Sequence, residues 1–141
     1  MNTSTSSSSV HTSDINLAAA LITLGVPTTE PCAMILADRD GVPRVEFFFR
    51  PSARDGTSTE SLVRAWDGKG PAIQCEDLLA WIKAFAANKR KLVQFIKTGR
   101  PLTLVEREGR NALVEYGSPL HRKLASKTIA ELKPIPSNAL D

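Results

Sequence analysis

A chain of 141 residues, 42% hydrophobic and 23% charged, has the length and makeup of one globular domain that buries its own core. Its formal charge of +3 is too mild to demand a polyanionic partner. Two cysteines and two histidines exclude a disulfide scaffold and argue against an all-protein metal site, and no apolar run reaches the roughly 20 residues of a membrane span.

Residues 1–12 are rich in Ser and Thr and have almost nothing to bury, so they are expected to form a flexible arm, free or ordered on a partner. The polar start lacks the apolar core of a signal peptide, which points to a reducing, cytoplasmic setting. Ser13 or Asp14 then caps a helix through INLAAALITL that stops at Gly25, with Pro27 just beyond. This helix is apolar nearly all round, as buried helices are. Residues 33–37 (AMILA) and 42–50 (VPRVEFFFR) follow as two strands, joined at an Asp40-Gly41 hairpin step. In the second of them, alternation puts Val45, Phe47 and Phe49 on one face and Arg44, Glu46, Phe48 and Arg50 on the other.

Thr57-Ser58-Thr59-Glu60 has the form of a capping box for a short helix, SLVRAW, which Asp67-Gly68 breaks. A long helix from about Glu76 to Thr98 carries its acids early and its cations late, as the helix dipole favours. Gly99 ends it. A second hairpin pairs residues 101–107 with 111–117, and Ser118-Pro119 starts a last helix expected to reach Leu132. The fold class is therefore α+β: two β-hairpins in one antiparallel sheet, packed with one long and three shorter helices. The domain spans 13–133, between the arm and a tail at 134–141. Helices that end in Gly25-Val26-Pro27 and Gly99-Arg100-Pro101 both lead into hairpins, which hints at a duplication, although this punctuation follows many helices.

The charge is uneven. Residues 1–75 carry six Lys/Arg against eight Asp/Glu and residues 76–141 twelve against seven, so the basic character belongs to the C-terminal half. On the long helix Lys83, Arg90 and Lys97 recur every seven residues as one cationic stripe, which Arg100 extends. Leu78, Ile82, Phe85, Ala86, Val93 and Ile96 are assigned to its core face. Arg122 and Lys123 would widen the stripe into a phosphate-binding face if the last helix packs alongside. Solvated cations that complement the helix dipole explain the same residues. Helix-turn-helix spacing, RNP aromatics and zinc-finger ligands are all missing.

Other motifs are incomplete. Asp38-Arg39-Asp40-Gly41 opens like a calcium loop but has Val42 at the fifth position, and Gly68-Lys69-Gly70 lacks the remainder of a P-loop. Cys75 precedes the long helix, where the dipole favours a thiolate, but a nucleophile also needs a base, and only His121 is at hand in the folded region. Glu106, Glu108 and Glu115 near the second hairpin are read as surface carboxylates rather than an acid–base pair. Trp66 and Trp81 are assigned to the core. Phe48 stands out because it shares a strand face with charges, and Met34 and Leu36 on the neighbouring strand can join it, so a helix or a partner must cover that face.

These features favour a non-enzymatic binding module, a regulatory, accessory or assembly subunit docking to another macromolecule around Phe48, Met34 and Leu36. A protein partner or a second copy of the chain is expected ahead of nucleic acid, with no membrane, metal or cofactor. The alternative is nucleic-acid binding through Lys83, Arg90, Lys97, Arg100, Arg122 and Lys123. A third is a small enzyme using Cys75 or a carboxylate pair.

Overall fold

The computed structural model describes residues 9–37, 43–73, 76–107, 110–124 and 130–132. The elements run β1 (Val10–Thr12), α1 (Ile15–Thr23), β2 (Thr28–Ala37), β3 (Pro43–Phe49), α2 (Thr59–Trp66), α3 (Leu78–Thr98), β4 (Leu102–Arg107), β5 (Arg110–Glu115), α4 (Pro119–Leu124) and β6 (Ala130–Leu132). The α+β class, the two hairpins and one long helix with three shorter ones are as expected.

The hairpins lie in two sheets, not one. The first has the order β1-β3-β2 and the second β5-β4-β6, all pairs antiparallel. Each hairpin is extended instead by a short terminal strand on one of its two edges. Val10–Thr12, assigned by composition to the arm, pairs with Phe47–Phe49 along β3. Ala130–Leu132, assigned to the last helix, pairs with Leu102–Leu104 along β4. Among the described residues that helix spans Pro119–Leu124, and it does not reach Leu132 because residues 130–132 satisfy their backbone groups on a sheet edge. The two added strands join opposite members of their hairpins, the second strand in one case and the first in the other, so the halves do not share a topology. The predicted tail at 134–141 and most of the arm fall outside the described residues, as do the turns at 38–42 and 108–109.

One core serves both sheets. Helix α1 is its centre: Leu17 to Thr23 are all buried, and Asp14 caps the helix by accepting from the Asn16 and Leu17 amides. Around it pack Phe47 and Phe49 from the first sheet, Leu92 and Phe95 from α3, and Leu102, Leu104 and Leu113 from the second sheet. The expected face assignment of β3 holds, with Phe47 and Phe49 fully buried and Arg44 exposed.

Helix α3 starts at Asp77, which accepts from the Ala80 amide, and ends at Gly99 with φ +69°, a left-handed conformation that glycine adopts without strain. Its inward face is turned from the expected one. Trp81, Phe85, Asn88, Leu92 and Phe95, spaced by alternate fours and threes, face the protein, while Leu78, Ile82 and Ile96 are exposed. So many apolar residues encircle this helix that apolar count alone does not fix its phase. Helix α2 is capped by Ser58, whose Oγ accepts from Ser61 at 3.3 Å, one residue later than the capping box implies. Thr59 is unavailable for the surface because its hydroxyl is buried and donates to the Arg50 carbonyl at 2.7 Å.

In the loop before α2, Asp55 accepts from the Thr57 amide at 2.9 Å, and the Thr57 backbone and hydroxyl hold its carboxyl below the ordinary value of 3.8. A depressed carboxyl stabilises the fold above its unfolded value and loses that contribution as pH falls through the folded one. An NMR pH titration is expected to show Asp55 titrating below 3.8 and an Asp55→Asn variant with a flatter acid limb of stability.

Candidate functional site

Phe48 is half-buried, and the contact it makes is with β1 rather than with a helix. His11 lies opposite it in the register, with ring centroids 5.7 Å apart, and the His11 Nδ1 sits 2.7 Å from Glu46 Oε2. Glu46, polar and nearly buried, thus gains a partner from the same short strand. Met34 pairs with Glu46 and is half-buried, and Leu36 pairs with Arg44, its side chain lying outside the described part. The three residues nominated as a docking face therefore do share a sheet, but β1 covers its aromatic member.

A second exposed apolar surface lies elsewhere. Helices α1 and α2 and the start of α3 enclose a groove of about 350 Å³ in which, among the described residues, every lining side chain is Ala, Leu, Ile or Trp. Leu17, Leu21 and Leu24 of the α1 region form its floor, and Trp66, Ile73 and Leu78 stand at 42%, 42% and 58% exposure around it. Trp66 is thus not a core residue. Its place at the end of a short helix, before Asp67 and Gly68, leaves it room to face outward. Trp81 lines the same groove, stacks on Phe85 at 5.3 Å and, among the described residues, leaves its buried indole N–H without a partner.

The cations divide. Lys83 and Arg90 line a second cleft, of about 910 Å³, between α3, β5 and the start of α4. Lys91, which flanks the stripe on the helix, joins them there, as do Arg107 and Arg110, which the stripe argument did not include. Lys97 is exposed beyond the cleft, and Arg100 sits 3.6 Å from Glu115. Arg122 and Lys123 are exposed, and although the first residues of α4 line the cleft, these two do not. The six nominated cations therefore do not form one face.

Cys75 and Glu108 lie outside the described residues. His121 accepts from the Gly117 amide at 2.8 Å and packs on Tyr116. Glu106 lies 3.9 Å from Arg54, and Cys32 is buried in the core. Among the described residues, no group of three His, Cys, Asp or Glu side chains is placed to hold a metal ion, and no helix is long and apolar enough to cross a membrane. No family model, curated protein or solved structure matches the chain.

Proposed function

We propose that the protein is a non-enzymatic binding module, a regulatory, accessory or assembly subunit that docks to a partner protein through the groove between α1, α2 and α3. One observation carries this reading: Trp66, Ile73 and Leu78 are large, apolar and exposed around a groove with no polar lining residue among the described ones. Exposed apolar surface of this kind is costly in water and marks interaction sites. A tryptophan at the rim supplies the anchor that interfaces favour. The reading keeps the function expected from the sequence and moves its centre from Phe48 to Trp66 and Leu78.

The test is capture of partners from the native host by wild type and by Trp66→Ala, Leu78→Asp and Phe48→Ala variants, with the affinity of the captured partner then measured. Each groove substitution is expected to weaken binding by about thirtyfold, the size of an interface hot spot. Both sites are exposed, so the midpoint of thermal unfolding should hardly move. Equal binding by the groove variants, or loss with Phe48→Ala alone, overturns the placement. A doubled mass in solution that Leu78→Asp abolishes identifies the partner as a second copy of the chain.

A further inference from the structure

The second cleft has a different chemistry from the apolar groove and carries an independent inference. One wall is β5, the edge strand of its sheet, all of whose residues line it. The other is α3, which presents Ala80, Ala84 and Ala87, spaced at four and three so that small side chains floor the cleft in a row. Lys83, Arg90 and Lys91 rise from the same helix, and Arg107 and Arg110 stand at the far end. The carboxylates in the cleft do not balance them. Asp77 is occupied as the cap of α3, and Glu115 is held by Arg100. Among the described residues, Lys83, Arg90, Lys91 and Arg107 have no ion-pair partner.

We propose that this cleft binds an extended acidic segment of a polypeptide, its carboxylates on Lys83, Arg90 and Lys91 and its apolar side chains on the alanine floor. The charge calls for an anion and the floor for methyl and methylene groups, and a chain alternating Glu or Asp with Leu or Val offers both. A nucleic-acid strand satisfies only the first, because among the described residues no aromatic side chain lines the cleft to stack a base. The segment is held by side chains rather than by strand addition. Asn88 already occupies the edge of β5, accepting from the Leu113 amide at 2.9 Å and donating to the Asn111 carbonyl at 3.2 Å.

The experiment is fluorescence anisotropy with three labelled probes of equal length: a peptide alternating glutamate and leucine, its lysine–leucine counterpart, and an oligothymidine. The acidic peptide is expected to bind, the basic one not, and the oligothymidine more weakly than the acidic peptide. A Lys83→Ala/Arg90→Ala/Lys91→Ala variant should lose about tenfold in affinity or more, as the sum of several solvent-screened ion pairs. An Ala87→Trp variant, at an exposed position, should block binding by filling the floor, whereas Arg122→Ala/Lys123→Ala should leave it unchanged. No binding of the acidic peptide at low salt overturns the proposal, as does tighter binding of oligothymidine, which reassigns the cleft to nucleic acid. Equal weakening by the Arg122/Lys123 variant, or indifference to Ala87→Trp, shows a general charge effect and also overturns it.

Discussion

Asn88→Ala is expected to destabilise the fold by about 3–5 kcal/mol, among the largest effects available to a single substitution here. Asn88 is a polar residue at the centre of the inward face of α3 and is almost wholly buried. Its amide nitrogen donates to Thr23 Oγ1 at 2.9 Å and to the Asn111 carbonyl at 3.2 Å, and its amide oxygen accepts from the Leu113 amide at 2.9 Å. The last two bonds reproduce what a neighbouring strand would offer to residues 111 and 113, so a helix side chain closes the edge of β5. The first ties α3 to α1, where Thr23 in turn donates to the Ala19 carbonyl. One side chain thus joins α1, α3 and the second sheet. Its removal leaves the Asn111 carbonyl and Leu113 amide buried without partners, each costing about 1–3 kcal/mol. Asn88→Leu keeps the volume but not the bonds and should be little better. Urea unfolding measures this as a fall in midpoint at constant slope. A loss under 1 kcal/mol for Asn88→Ala would mean that water or a rearranged β5 replaces all three bonds. Exposure of the edge should also make the variant prone to self-association, which light scattering reads.

That residue also shows where the sequence stops being legible. Much of the capping and punctuation was readable because it is local: Asp14 and Gly99 each act within four residues of themselves. The alternation of β3 was readable because Phe47 and Phe49 are aromatic and Arg44 is charged. The phase of α3 was not, since Leu78, Ile82 and Ile96 match the hydrophobicity of the residues that are buried, and the polar residue at the centre of the true face counted against it. Only the positions of Thr23 and β5 make Asn88 an interior residue, and those are long-range facts. The same holds for β1 and β6. Ala130–Leu132 carries little strand propensity, and Val10–Thr12, though Val and Thr favour strands, is only three residues long in a polar stretch; both become strands by pairing along β3 and β4. The docking surface inherited both difficulties. Phe48 looked uncovered because His11 was assigned to an arm, and Trp66 and Leu78 looked covered because apolar helix residues were assigned to the core. The cationic cleft was half visible: Lys83 and Arg90 share a helix face, but Arg107 and Arg110 reach it only through the hairpin geometry.

Phe47→Ala should cost about 3–5 kcal/mol, against a total stability of about 5–15 kcal/mol for a domain of this kind. Phe47 occupies the central strand of the first sheet, between Thr12 on β1 and Ala33 on β2, and is fully buried. Its ring lies 6.3 Å from that of Phe95, tilted by 39°, so it is the main aromatic contact between the first sheet and α3. Ala33 is too small to fill the space a truncation leaves, and the neighbouring Phe49 is already packed, so a cavity should persist. The adjacent Phe48→Ala removes the same atoms from a half-buried site against an exposed histidine and should cost much less, about 1–2 kcal/mol. The comparison tests the register of the whole first sheet, because a slip of one residue exchanges the two faces and would reverse the order of the two effects. Thermal and urea unfolding of the pair, with Phe47→Leu as the milder core change, gives the ranking. Phe47→Ala should be the least stable, Phe47→Leu intermediate or close to Phe48→Ala, and a reversed order would place Phe48 inward and return the docking surface to a different set of residues on β3.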